Sequence, residues 1–75
     1  MIITKDERGG FEIVTARGKE IYVYVHEFGC VVYVPQNGRR LAMGRTFRGV
    51  EEAAVAYKKA DIRDALLMLA DELAA

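Results

Sequence analysis

The sequence predicts an α+β domain in which an antiparallel meander of three to five strands packs against one C-terminal α-helix. Two observations carry this prediction. Up to about residue 45, apolar side chains alternate with other residues between glycine-containing turns, which is typical of short antiparallel strands. From residue 50 onward, the apolar residues recur at helical spacing. The chain has 75 residues, so we predict a single domain over residues 1–75.

The clearest strand is the alternation Ile-Tyr-Val-Tyr-Val at residues 21–25, because β-branched and aromatic residues favour a pleated, half-buried surface. Before it, residues 16–18 predict a three-residue hairpin loop with Gly18 in the left-handed conformation. This loop places Ile13 opposite Ile21 and Phe11 opposite Val23, so that both strands bury their apolar side chains on one face. The predicted strands are residues 2–4, 11–15, 20–27, 30–34 and 39–45.

Two-residue turns are predicted at residues 28–29 and at Asn37-Gly38, the strongest short hairpin signal in the chain. With these turns, Val25 lies opposite Val32, which lies opposite Met43. One face of the sheet is therefore apolar and is expected to meet the helix. The other face carries Glu12, Val14, Tyr22, Tyr24, His26, Val31, Tyr33, Arg40 and Ala42.

The helix is predicted over residues 50–73, with Gly49 as N-cap and Glu51 and Glu52 in the first turn, where the helix dipole favours carboxylates. Its apolar residues form two stripes that are out of phase by roughly a third of a turn. Either one long helix wraps the sheet or the helix breaks near Asp61; we favour one helix, kinked near Asp61. The stripes are Val50, Ala53, Ala54, Tyr57 and Ala60, and Ile62, Leu66, Leu69 and Leu73.

Composition and charge limit the classes of partner. The formal net charge is zero, but residues 1–50 carry eight basic against five acidic residues, whereas residues 51–75 carry three against six. The single cysteine, Cys30, excludes an internal disulfide and fits a cytoplasmic protein. The apolar run at residues 65–70 is too short to cross a membrane. This run is apolar nearly all round, which predicts a homodimer through Ile62, Leu66, Leu67 and Leu69.

Catalytic chemistry is not expected. Cys30 and His26 are the two candidates for nucleophilic catalysis, but strand alternation places them on opposite faces of the sheet. One histidine, one cysteine and dispersed carboxylates supply no metal site, and the glycines fit turns rather than a phosphate-binding loop. We therefore predict a chain that is not an enzyme and has no metal or cofactor.

Two features favour binding. Tyr22, Tyr24 and Tyr33 share the uncovered face, where they either stabilise the sheet by cross-strand packing or form a partner surface. Four arginines lie close together around the predicted junction between the last strand and the helix. They either keep an edge soluble or contact the phosphates of a nucleic acid. These arginines are Arg39, Arg40, Arg45 and Arg48.

The junction also resembles a known family. Residues 41–60 resemble the strand-to-helix segment of the plant ethylene-response-factor DNA-binding domain and of related domains in mobile-element nucleases and integrases. The resemblance implies three antiparallel strands on one helix, with the sheet in the DNA major groove. The chain departs from the family in one extra residue between Gly44 and Phe47, in its lack of tryptophan and in the tyrosines of its outer face. The matching residues are Gly44, Phe47, Glu51, Glu52, Ala53, Ala54 and Tyr57.

The expected function is that of a non-catalytic macromolecule-binding module. The first hypothesis is DNA binding through the sheet and the basic junction, in line with the resemblance. The alternative is a protein-binding module that uses the tyrosine face. A small phage-type inhibitor of a host defence complex, similar to the anti-CRISPR proteins, is one example of such a module.

Overall fold

The sheet is an antiparallel meander whose strands lie side by side in chain order. The computed structural model describes residues 1–35 and 44–75, and this part of the chain forms five strands and two helices. The predicted α+β class is confirmed. The strands are β1 (Ile2–Lys5), β2 (Gly10–Val14), β3 (Glu20–His26), β4 (Gly29–Tyr33) and β5 (Arg45–Phe47), and the helices are α1 (Val50–Ala56) and α2 (Ala60–Ala74).

The β2–β3 hairpin has the predicted register. Ile13 pairs with Ile21 and Phe11 pairs with Val23. Gly18 has a φ of 81°, in the left-handed region where a Cβ is unfavourable. The amide of Gly18 donates a hydrogen bond of 2.8 Å to the carbonyl of Thr15, which closes the three-residue loop.

The β3–β4 hairpin differs from the prediction by two residues. Val25 pairs with Cys30 and Val23 pairs with Val32, so the turn consists of residues 27–28 rather than 28–29. A shift of two residues leaves every side chain on its predicted face, because strand side chains alternate with a period of two. The assignment of the two faces is therefore unaffected.

The predicted last strand, residues 39–45, lies mostly outside the described residues. Strand β5 begins at Arg45, the last residue of that prediction, and continues through two residues that were predicted to belong to the junction. Its register places Arg45 opposite Val32 and Phe47 opposite Cys30. The predicted pairing of Val32 with Met43 is therefore wrong.

The prediction of one continuous helix is also wrong. The chain is extended at Tyr57 (φ −91°, ψ 124°) and at Lys59 (φ −73°, ψ 120°), which separates α1 from α2. The break falls before Asp61, and Lys59 occupies the N-cap of α2 without a side-chain hydrogen bond. Because the two apolar stripes are out of phase, two separate helices bury both, whereas one straight helix buries only one of them.

The core lies between the two helices and the inner face of the sheet. Ile62, Leu66 and Leu69 are buried there, so these three side chains are not available for the predicted homodimer interface, and a homodimer itself stays a prediction. The fourth residue of that prediction, Leu67, is 44% exposed. The sheet contributes Phe11, Ile13, Ile21, Val23, Cys30 and Val32, and the helices contribute Val50, Ala53, Ala54, Ile62, Ala65, Leu66 and Leu69.

Thr15 is a buried polar residue that joins the β2–β3 loop to α2. Its hydroxyl donates a hydrogen bond of 2.5 Å to Oδ2 of Asp61 and accepts one of 3.0 Å from the amide of Lys19. Asp61 lies in the first turn of α2, where the helix dipole favours a carboxylate. The hydroxyl of Thr15 therefore holds the start of α2 against the sheet.

We expect Thr15→Val to lower the free energy of unfolding by about 1–3 kcal/mol, because it removes a hydrogen bond to a carboxylate and leaves the part-buried Asp61 carboxylate and Lys19 amide without this partner. Urea unfolding measures the change. Thr4→Val on the exposed edge strand is the matched control and should change the free energy by less than about 0.5 kcal/mol. Equal stability of Thr15→Val and Thr4→Val would contradict the proposed role of the hydroxyl.

Candidate functional site

One side of the sheet is free of described helices. Both helices pack on the opposite side, where the buried strand residues lie. We call this side, which no described helix covers, the open face. Its described residues are Ile2, Thr4, Gly10, Glu12, Val14, Glu20, Tyr22, Tyr24, His26, Gly29, Val31, Tyr33 and Thr46.

Tyr22 is fixed on the open face by Asp6, which follows β1. The hydroxyl of Tyr22 donates a hydrogen bond of 2.5 Å to Oδ2 of Asp6. The other carboxylate oxygen of Asp6 accepts hydrogen bonds of 2.9 Å from the amides of Arg8 and Gly10. Gly10 lies beneath the ring, because a Cβ at this position would overlap the phenol of Tyr22.

The hydrogen bond between Tyr22 and Asp6 also shifts the pKa of both groups, in opposite directions. It raises the pKa of Tyr22 to about 12, with desolvation adding to the shift, and it is the largest cause of the lowered pKa of Asp6. At neutral pH, Tyr22 is therefore a neutral donor and Asp6 a charged acceptor. The hydroxyl of Tyr22 is thus occupied by a hydrogen bond within the chain.

Tyr33 packs beside Tyr22 on the neighbouring strand. The two residues are paired across β3 and β4, and their ring centroids are 6.0 Å apart at an interplanar angle of 53°. This tilted arrangement is favourable for aromatic pairs. Gly44 also lies against Tyr33, since a Cβ on Gly44 would come 2.7 Å from the ring. Tyr33 is consequently half-buried.

Tyr24 and Phe28 are the more accessible aromatic residues. The ring of Tyr24 stacks on that of His26, with centroids 6.1 Å apart, and Tyr24 remains 38% exposed. Phe28 follows in the β3–β4 turn and is 84% exposed. Its amide donates a hydrogen bond of 3.2 Å to Nδ1 of His26, which links the turn to the end of β3.

The open face is negatively charged over its described strand residues. Glu12 is paired with Tyr22, and Glu20 is paired with Val14. No lysine or arginine lies on the open face within the described strands. Both glutamates are among the residues that line a groove. The side chains that line this groove include Glu12, Val14, Glu20, Tyr22, Tyr33 and Pro35.

Of the four arginines predicted to bind a partner, the two that the structure describes, Arg45 and Arg48, do not lie on this face. Arg45 is opposite the core residue Val32, and its guanidinium carbon is 5.3 Å from the ring centroid of Phe47 and 5.0 Å from that of Tyr57. This distance is typical of a cation–π contact, so Arg45 joins β5 to the segment after α1. Burial raises the pKa of Tyr57, and the nearby guanidinium of Arg45 partly offsets the rise.

Arg48 is exposed and lies between β5 and α1. Its amide donates a hydrogen bond of 2.8 Å to Oε2 of Glu52, which joins the residue before the N-cap Gly49 to the first turn of α1. Arg39 and Arg40 lie outside the described residues. The structure therefore places Arg45 and Arg48 at the junction and the three tyrosines on the open face.

The predicted separation of Cys30 and His26 is observed. Cys30 is fully buried on the inner face, and burial raises the pKa of its thiol, with a smaller contribution from Glu52. His26 lies on the open face. Among residues 1–35 and 44–75, no group of three or more histidine, cysteine or carboxylate residues is arranged to hold a metal ion.

Sequence reasoning did not single out Phe28, Asp6 or Glu20. Phe28 was assigned to a turn, where hydrophobic residues carry no periodic signal. Its position next to an alternating aromatic strand was the available indication. The position of Glu20 on the open face follows from alternation along β3. The contact of Asp6 with Tyr22, in contrast, spans 16 residues and depends on the pairing of three strands.

Comparisons with known proteins do not extend these observations. No protein-family model, curated protein or solved structure matches the chain. The resemblance of residues 41–60 to the ethylene-response-factor domain therefore stays a prediction. In the described part of the chain, no helix is both long enough and apolar enough to span a membrane.

Proposed function

We propose that this chain is a non-catalytic protein-binding module and that the open face of its sheet contacts the partner. The observation that supports the proposal is the group of accessible aromatic residues at one end of an uncovered sheet face, namely Tyr24 at 38% and Phe28 at 84% exposure. Aromatic residues are enriched at protein interfaces, where they contribute much of the binding energy. A small inhibitor of a cytoplasmic host defence complex is one protein of this kind.

The charge of the open face favours a protein over DNA. Proteins that bind a duplex neutralise its phosphates with lysine and arginine. The described strands instead place Glu12 and Glu20 on this face. DNA binding is the second candidate, and the exposed Arg45 and Arg48 at the junction favour it. In that case the junction, rather than the tyrosines, makes the phosphate contacts.

We expect the double substitution Tyr24→Ala with Phe28→Ala to reduce retention of a partner from an extract of the source cells by at least about tenfold, because truncating an aromatic hot spot costs roughly 2 kcal/mol or more. The measurement is affinity capture with quantitative mass spectrometry of the retained proteins. Val55→Ala is the matched control, since Val55 is also 84% exposed but lies on α1.

The control must keep the partner at the wild-type level, and thermal melts must show that the double variant is folded. Retention of the same proteins by the folded double variant would contradict the proposal. A duplex-DNA titration discriminates the second candidate. Affinity that falls steeply with salt, persists in the Tyr24 and Phe28 variant and is lost in Arg48→Gln would support DNA binding instead.

A further inference from the structure

The groove on the open face combines aromatic rings with two carboxylates. The residues that line it include Tyr22, Tyr33, Glu12 and Glu20. Glu12 is directly opposite Tyr22, and Glu20 precedes Tyr22 by two residues on the same strand. The two glutamates are therefore diagonal neighbours across one strand pair, roughly 7–8 Å apart at the backbone.

These two carboxylates have no described counter-charge. Across residues 1–35 and 44–75, one salt bridge is present, and it joins Arg63 to Asp64 at 3.7 Å on α2. Two carboxylates at this separation repel each other through their like charge. A cation placed between them relieves this repulsion.

The rings in the same groove favour the same kind of ligand. The hydrogen bond from Tyr22 to Asp6 and the packing of Tyr33 on Tyr22 hold both rings in place before any partner arrives. A ring face carries a negative quadrupole that attracts guanidinium and ammonium groups. Arginine is particularly suited to such a groove, because its planar guanidinium stacks on a ring and donates to carboxylates at the same time.

We propose that the open face recognises a basic segment of its protein partner and that an arginine side chain of this segment occupies the groove between Glu12, Glu20, Tyr22 and Tyr33. This inference rests on the proposed function and names the chemistry of the partner. Charge complementarity selects the segment, and Tyr24 and Phe28 extend the contact along β3 to the turn. The exposed glutamates thus act as specificity-determining residues rather than as a solvated surface.

Fluorescence anisotropy with labelled synthetic peptides tests the proposal. The probes are three unstructured peptides of equal length with arginine, glutamine or glutamate at alternating positions. We expect the arginine peptide to bind and the other two to fail. Glu12→Gln with Glu20→Gln should weaken binding of the arginine peptide by about fivefold to tenfold, since an exposed ion pair contributes up to about a factor of five.

The matched control is Glu51→Gln with Glu72→Gln, which removes the same net charge from exposed positions on α1 and α2. The control should bind the arginine peptide as the wild type does. Equal losses in both double variants would show a general charge effect and would overturn the proposal, as would absence of binding at low salt. Backbone amide shifts in NMR spectra should be largest at β2, β3 and β4, and shifts confined to the helices would also overturn it.

The outcomes separate this inference from the proposed function. In one outcome, partner capture depends on Tyr24 and Phe28 but is unchanged by Glu12→Gln with Glu20→Gln. This result would support the protein-binding module and overturn the proposal that it recognises a basic segment. Capture that depends on neither pair contradicts both. A single-stranded DNA probe that competes with the arginine peptide, and that binds more tightly in the variant without the glutamates, would assign the groove to nucleic acid and overturn the inference.

Discussion

Gly29→Ala is expected to lower the free energy of unfolding by about 2–6 kcal/mol. Gly29 has a φ of 145°, which an L-residue with a Cβ rarely adopts. A Cβ at this position would also overlap the carbonyl oxygen of Phe47 and lie 3.1 Å from the Cα of Arg48. The strained backbone costs about 1–3 kcal/mol, and the overlap adds about 1–3 kcal/mol.

The overlap cannot be relieved by a side-chain rotation, because the atoms that meet the Cβ belong to the backbone. Strand β5 would have to move away from β4, and the start of α1 follows β5 directly. A domain of this size has a total stability of roughly 4–11 kcal/mol, so the substitution removes a large part of it.

Urea unfolding followed by circular dichroism measures the effect, and Gly18→Ala is the matched control. Gly18 also has a positive φ, 81°, but a Cβ there meets no atom within 4 Å. The control should therefore lower the free energy of unfolding by only about 1–2 kcal/mol, which is the cost of the left-handed conformation for a residue with a Cβ. A cost for Gly29→Ala no larger than that for Gly18→Ala would contradict the close approach of β5 to the β3–β4 turn.

Local sequence signals were sufficient for the β2–β3 hairpin. The alternation at residues 21–25 identified the strand, and Gly18 identified the loop. Together they fixed the pairing of Ile13 with Ile21, because a shift of one residue would have moved the apolar side chains to the open face. The separation of the three tyrosines from the core followed from the same alternation.

The register of the β3–β4 hairpin could not be predicted from these local signals. A shift of two residues preserves the buried face, so the hydrophobic pattern is the same for a turn at residues 27–28 and at residues 28–29. The choice depends on Gly29, whose conformation and contact with Phe47 are tertiary features. Turn propensity alone favoured glycine within the loop, whereas Gly29 is the first residue of β4.

The helix break had no local signal of the usual kind. Residues 57–59 contain neither glycine nor proline. The ring of Tyr57 packs on Phe47, with centroids 6.0 Å apart, and Arg45 lies over both rings. These contacts with β5 stabilise an extended backbone at Tyr57. Helix propensity, which reflects the residue alone, does not predict them. The phase difference between the two apolar stripes was the one available indication.

The candidate site was predictable from strand alternation only in part, because its details depend on tertiary contacts. Alternation assigned Tyr22, Tyr24 and Tyr33 to one face, but it treated them as equivalent. In the structure Tyr22 is held by Asp6 and Tyr33 is half-buried, which leaves Tyr24 and the turn residue Phe28 as the accessible rings. Arg45 is likewise engaged by the rings of Phe47 and Tyr57, a contact that depends on the helix break.

Leu66 and Leu67 provide the second large expected effect, because they are neighbours in sequence with opposite environments. Leu66 is fully buried in the core, whereas Leu67 is 44% exposed. We expect Leu66→Ala to lower the free energy of unfolding by about 2–5 kcal/mol, through lost burial and the cavity that remains. Leu67→Ala removes the same atoms from a partly solvated position and should cost less than about 1 kcal/mol.

The comparison of Leu66→Ala with Leu67→Ala also tests whether α2 packs within its own chain or in an intermolecular interface. If the helix buries Leu66 within its own chain, the urea midpoint is independent of protein concentration in both variants. A dimer held through this side of α2 makes the midpoint rise with concentration, because association stabilises the folded state by mass action. Equal costs for Leu66→Ala and Leu67→Ala, together with a concentration-dependent midpoint, would place both residues in an intermolecular interface and contradict the core described above.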